Sequence, residues 1–498
     1  MGSPFHLAAK LLGTQQNRVP LLFIGGIGVE SEGQATIQVC SPADGQPIGR
    51  CPAGNGKDVD RAVRTARQAF DDTWKDTPPE ERANILWRAA GRIERDAREL
   101  AVLESLQTGK TYREALTTDV AVASAALKYY AGWVNKTGGR VRDLGGGFSG
   151  YTHRVPYPVS GAILSWQTPL ASAALQAAQA LAVGSTLVLK PSERSPMTAL
   201  RLAEVLHDSG LPGGAFNVVT GMGAPAGEAL ARHPEVQALT FSGSIETARH
   251  VLVSSAKSNL KKMSMMLGGK CSNILFEDCS VESAIQAAWK SSFTARGQLS
   301  TAGSRLLCHN SIYDDVVRVI TERTRELIVG DPLDEHTDIG PVISEEQLKR
   351  ILAYVGVGRK EGARLVAGGS RDVDGQKASG YFVKPTVFIN VNPNMRIAKE
   401  EILGPVLTIT GFDSEEEAIE IANGTEYGMA NAIWTRDFGR VRRVSEHLEA
   451  GVVWVNHYHH QDPSLPFGGI KLSGHGRDFG EEGLDKYSYA KSIYVPSR

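Results

Sequence analysis

The segment His457-Tyr-His-His-Gln-Asp462 gathers three imidazoles and a carboxylate in one short stretch. An imidazole whose pKa lies near neutrality can give or take a proton during a reaction. His459 and His460 are therefore candidates for an acid or base, although exposed histidines can equally form a plain polar rim. The spacing matches no characteristic metal-ligand pattern, so no metal is expected. Three further stretches could handle a nucleotide. "LVLKPSE" sets Lys190, Ser192 and Glu193 just past a predicted strand, where a lysine and a carboxylate can hydrogen-bond ribose hydroxyls. "FSGSIETARH" reads as strand, then Gly243-Ser244, then helix, and a helix N-terminus offers backbone N–H groups to a pyrophosphate. A solvated loop and an ordinary capped helix are the alternatives. The glycines of "GMGAPAG" miss the dinucleotide spacing and read as a turn opening a helix.

Such residues work only if regular elements hold them. "DVDRAVRTARQAF" places Val59, Ala62, Val63, Ala66, Ala69 and Phe70 on one helical stripe, and the pattern resumes after Pro78-Pro79. Beyond this, short apolar runs alternate with helices: "GAILSW", "PLASAALQAAQALAVG", "STLVLK", "SPMTALRLAEVLHDSG", "FNVVTG" and "ALTFSG". The alternation predicts a parallel sheet covered on both faces. A second alternating region from about Cys271 to about Ser464 predicts a second α/β unit. The apolar "VPLLFIGGIGV" reads as a strand, and the terminal "DKYSYAKSIYVPSR" alternates as an edge strand able to pair with another subunit.

The 498 residues exceed one ordinary core and predict two or three domains. With 42% hydrophobic residues, 22% charged residues and a formal net charge of -1, nothing favours nucleic acid or an anionic membrane. Cys40, Cys51, Cys271, Cys279 and Cys308 form no paired framework, which fits reduced thiols inside a cell. Cys271 and Cys308 are expected to be core thiols on strands away from any pocket. "MGSPFH" has histidine where an acylation signal needs Ser or Thr, and no apolar run has the length of a membrane span.

Seven stretches occur in an order that resembles the NAD(P)-dependent aldehyde dehydrogenase superfamily: "SWQTPL", "KPSE", "FSGS", "LGGK", "GQLSTAGSR", "EEILGPV" and "PFGGIKLSGHGRDFGEEGL". The resemblance implies an α/β fold with a Rossmann-type cofactor domain (20–137 and 158–268), an α/β catalytic domain (269–465) and a small β oligomerisation arm (138–157 and 480–498). It implies that Lys190 and Glu193 hold the adenosine ribose, that Ser244 meets the pyrophosphate, and that Glu401 holds the nicotinamide-side ribose. Trp166, Ser192, Gly243 and Leu403 complete the cofactor-binding set. A carboxylate at Glu193 favours NAD, with NADP possible.

The chemical positions depart from the family pattern. Where the family has a cysteine nucleophile, a glutamate that activates water and an asparagine that holds the oxyanion, this chain is similar in context but has Ser300, Met266 and Gln167. A serine hydroxyl needs a base, and the Met266 thioether cannot be one. The expectation is an atypical member of the superfamily, lacking the catalytic cysteine and glutamate. It would act on an aldehyde, imine or enal by direct hydride transfer without a thioester, with a redox-neutral isomerisation as a variant. The competing readings are a catalytically inactive pseudoenzyme and an ordinary aldehyde dehydrogenase carrying an engineered cysteine-to-serine change. A cytoplasmic homodimer or homotetramer with a small-molecule carbonyl-type substrate follows as an expectation.

Overall fold

A computed structural model describes residues 3–17 and 19–496. Met1 and Gly2 of the acylation test, and the last two residues of the expected arm, lie outside the described residues.

The first sheet is built from β1 (Leu22–Ile24), β2 (Ile27–Val29), β3 (Val159–Ile163), β4 (Thr186–Lys190), β5 (Phe216–Val218), β6 (Ala238–Ser242) and β7 (Lys262–Met266), in the order β7-β6-β3-β4-β5-β1-β2. Strands β3 to β7 pair in parallel. The runs of β3 and β4 are buried along their whole length because helices such as Pro169–Val183 cover the sheet. "VPLLFIGGIGV", expected as one strand, is instead the hairpin β1–β2. Gly25 and Gly26 carry φ of 71° and 85°, the paired left-handed conformation of a tight hairpin turn.

The second sheet contains β8 (Ser272–Leu275), β9 (Arg305–His309), β10 (Arg364–Ala367), β11 (Thr386–Ile389), β12 (Val406–Phe412), β13 (Ala430–Trp434) and β14 (Val452–Val455). Its order is β10-β11-β12-β9-β8-β13-β14, parallel except for the β10–β11 pair. Chain order reverses at β3/β6 in the first sheet and at β8/β13 in the second. The crevice beyond the strand ends at such a reversal is where open α/β sheets bind ligands.

A separate three-stranded sheet pairs the hairpin Val141–Gly145/Phe148–Pro156 with the terminal strand Ser488–Pro496. Val141, Leu144, Phe148 and Tyr494 are exposed on it. Among the described residues no helix is long and apolar enough to cross a membrane, and all five cysteines are free.

Candidate active site

The carboxyl ends of β3 and β6 open on a cavity of about 1060 Å³. Residues 164–168 leave β3 along its wall, and Ser242, Gly243 and Ser244 leave β6 beside them. The Ser242 hydroxyl accepts from the Ser165 N–H at 3.0 Å and joins the two strand ends. Ser244 caps the helix Ile245–Ala256, accepting from Thr247 N–H at 3.2 Å. The opposite wall includes Ser300, Glu401 and Leu403 together with the loop 456–461.

Ser300, Gln167, Met266, His459 and His460 all line this one cavity, as do Trp166, Gly243, Ser244, Glu401 and Leu403. Lys190, Ser192 and Glu193 do not. They sit one strand over, where the Lys190 carbonyl accepts from Leu164 N–H at 3.0 Å and the Lys190 ammonium pairs with Glu193 at 3.3 Å. Burial pulls the Lys190 pKa below its ordinary value, against the attraction of Glu193.

Ser300 arrives on a strained turn. After the helix Val281–Phe293, the backbone of Ala295, Arg296 and Gly297 is left-handed at φ 50°, 59° and 62°. Such conformations persist only where surrounding contacts over-determine them. Here the Ala295 N–H donates to Glu114 at 2.8 Å, Arg296 donates to the Thr108 carbonyl at 3.2 Å, and Ile343 N–H donates to Gln298 at 3.1 Å. Gly269 lies so close that a Cβ there would clash with the Ser300 carbonyl oxygen.

Among the described residues the Ser300 hydroxyl has no hydrogen-bond partner. Met266, half-buried at the end of β7, presents a thioether to the cavity, and Gln167 presents an amide just before the helix Pro169–Val183. Glu401 accepts from Gly269 N–H at 2.9 Å and lies against Gly268, where a Cβ would meet its carboxylate at 2.6 Å. Burial raises the Glu401 pKa.

Cys271 is a core thiol, as expected, and does not line the cavity, yet it stands immediately behind the wall, its buried thiol donating to the Ser300 carbonyl at 3.3 Å. Burial pushes this thiol up to about 12, so it stays protonated. His459, expected to titrate near operating pH, packs edge-on against Trp454 and Tyr458 and is half-buried in the cavity wall. Burial pushes its pKa down to about 4. The neutral ring donates from Nε2 to the Thr301 carbonyl at 3.1 Å, beside the Tyr458 hydroxyl on the same oxygen at 3.0 Å. His457 and His460 stay exposed at the mouth. No group of three or more His, Cys, Asp or Glu side chains among the described residues could hold a metal ion.

Sequence reasoning missed two buried polar clusters. Lys110 makes two short bonds to Asp119, at 2.6 and 2.7 Å, and Asp119 forms part of the wall. Asp478, also in the wall, pairs with buried Lys486 and accepts from Gln176 at 3.1 Å. No local pattern marks either cluster: Lys486 lies in the turn after the short helix Glu482–Asp485, among charged neighbours.

A parallel sheet and a second α/β unit meeting at one long cavity define a nucleotide-dependent α/β enzyme. The model of the aldehyde dehydrogenase family matches residues 29–493. The chain is 40% identical over 476 residues to an aldehyde dehydrogenase of Enchytraeus buchholzi, covering 95% of each. It is 39% identical over 486 residues to the mitochondrial aldehyde dehydrogenase of Homo sapiens, covering 96% of this chain and 93% of that one. An NAD+ complex of aldehyde dehydrogenase from Bacillus cereus superimposes with a TM-score of 0.95 at 37% identity over 98% of both chains. The chain belongs to the aldehyde dehydrogenase family, an oxidoreductase family, and has its fold.

Proposed function

We propose that the protein is an NAD-linked oxidoreductase, with NADP as a weaker alternative, that acts on an aldehyde, imine or enal without a thioester. A redox-neutral isomerisation, in which hydride leaves and returns, belongs to the same chemistry. The observation that carries this reading is the absence of a cysteine from the residues lining the cavity among the described residues. The adjacent thiol, Cys271, is buried, protonated and committed to a backbone carbonyl.

The site fits a dinucleotide: the cavity opens at the strand-order reversal, beside a helix N-terminus and a glutamate cradled by Gly268 and Gly269. In this reading Trp166, Gly243, Ser244, Glu401 and Leu403 hold the cofactor, and Lys190, Ser192 and Glu193 bind its adenosine end. The Glu193 carboxylate disfavours a 2′-phosphate. When bound, the nicotinamide supplies or accepts a hydride.

Gln167 donates its amide to the substrate's carbonyl oxygen or imine nitrogen, and Ser300 offers a hydroxyl for the same group. Met266 contributes an apolar wall and no base, so nothing there activates water. His460 at the mouth provides the proton partner, while His459, neutral and committed to the Thr301 carbonyl, holds the backbone beside Ser300. Free thiols fit a cytoplasmic setting, and the apolar side chains on the terminal sheet fit its use as a dimer or tetramer arm.

Purified protein is incubated with NAD+ or NADH and a panel of aldehydes, imines and enals. Absorbance of reduced nicotinamide and product mass are followed. Turnover without a covalent protein adduct is expected. Unchanged absorbance together with no product from any compound would count against both the net and the redox-neutral forms.

A further inference from the structure

The cavity has a second polar wall outside the group of residues assigned to hydride chemistry. The helix Val281–Phe293 turns Ser283, Gln286, Ala287 and Lys290 inward. Their spacing of three and four residues stacks them on one helical face. The same helix runs into the strained turn that delivers Ser300, so this face forms an approach to the reacting position. Lys290 and His457 both stand close enough to His459 to disfavour its protonation.

Of the lysine, arginine and carboxylate side chains in the cavity lining, one lacks a polar partner among the described residues; the cationic Arg350 is occupied, donating to the Glu401 carbonyl at 2.7 Å. Four carboxylates line the cavity, and each is already engaged. Asp119 is held by Lys110, and Asp478 by Lys486. Glu401 accepts from Gly269 N–H, and Glu114 accepts from the Ala295 and Thr111 N–H groups. On the neighbouring loop, Asp462 is tied to Ser464. The Lys290 ammonium has no ion pair or hydrogen bond among the described residues, and the residue is exposed in the mouth. A neutral substrate tail lying against it would strip water from the ammonium and return nothing, which is costly.

We propose that the mouth binds an anionic group, a carboxylate or a phosphate, at the end of the substrate remote from its reacting carbon. Lys290 is the charge partner, and Gln286 and His457 add hydrogen-bond donors. The inference rests on the carbonyl-type substrate proposed above and narrows it to acidic members.

The test is calorimetry on the full-length, NAD+-saturated protein. The ligands are ω-oxo carboxylates of graded chain length, their uncharged methyl esters and the matching ω-oxo phosphate monoesters. An anionic ligand is expected to bind at least about tenfold more tightly than its ester, with the advantage shrinking as salt is added. Lys290→Gln should abolish the preference and Lys290→Arg should keep it. The tighter of the two anion types identifies the head group. Equal affinity for acid and ester, or a preference that survives Lys290→Gln, overturns the proposal. A binding preference without turnover of any compound would leave this inference standing and sink the hydride-transfer reading. Turnover of neutral substrates with a KM unmoved by Lys290→Gln would do the reverse.

Discussion

The Cys271 thiol donates to the Ser300 carbonyl across 3.3 Å, while Gly269 presses on the same oxygen from its own backbone. The one thiol adjacent to Ser300 therefore acts as a strut for that residue's backbone. Its sulfur faces the loop from behind and is not part of the cavity surface.

With its pKa pushed to about 12, Cys271 holds essentially no thiolate near neutral pH. Native protein treated with iodoacetamide at about pH 8 should leave the Cys271 peptide unmodified, whereas unfolded protein should be labelled. Peptide mass spectrometry reads this directly, and fast native labelling would contradict the placement of the thiol.

Ser300→Cys supplies a nucleophile but no base for water. Aldehyde-to-acid turnover in this variant is expected to stay within about tenfold of the parent, and an acyl-protein adduct should accumulate. Adding Met266→Glu should release the adduct and raise turnover by about a hundredfold or more. Intact mass and acid formation distinguish the cases; robust turnover from Ser300→Cys alone would remove Met266 from the argument.

His459 titrates near 4 when folded against an ordinary 6.5. Because the folded pKa is the lower one, the unfolded chain takes up the proton first. The stability this ring contributes is complete above pH 6.5 and declines as pH falls toward 4. The loss is on the order of 2 kcal/mol, discounted because the residue is half-buried. His459→Asn keeps a residue that tolerates the observed φ of 61°. The variant should have a flatter Tm between those pH values; an unchanged slope would show that the ring titrates normally.

The Lys110–Asp119 pair is buried on both sides. Lys110→Met leaves a buried carboxylate unpaired and should cost about 3–5 kcal/mol in denaturant unfolding. The double variant Lys110→Met/Asp119→Leu should recover most of that loss, because removing both charges removes the desolvation penalty as well. A single variant as stable as the parent would mean that Asp119 reaches water through the cavity.

Much of this architecture is legible in the sequence because periodicity is local. The apolar runs at 159–163, 186–190 and 238–242 become adjacent parallel strands, and the residues just beyond the first and third meet at the cavity. Gln167, Met266 and Ser300 also come together as the order of motifs implies. What could not be read depends on through-space packing. No spacing rule links Cys271 to Ser300, or Gln176 to Asp478 and Lys486, because these contacts form only once separate elements dock. The burial of His459 escaped notice for the same reason: "HYHHQD" looks uniformly polar, yet Trp454 and Tyr458 fold one of its rings inward. The β1–β2 hairpin was missed because its apolar run conceals a two-glycine turn.

The terminal strand pairs along its full length with a hairpin made early in the chain, from Ser488 opposite Pro156 to Pro496 opposite Phe148. Just before it, Asp478 and Phe479 close part of the cavity, and Lys486 and Tyr487 fasten Gln176. During synthesis these pieces emerge more than three hundred residues after the hairpin they complete, Ser488 following its partner Pro156 by 332 positions (488 minus 156). The early hairpin must wait with an unpaired edge and exposed apolar side chains, a state that invites contact with other nascent chains and gives chaperones a reason to hold it. Ligand binding is thereby reserved for chains translated past these residues, so a stop placed before Asp478 yields a protein without a finished pocket.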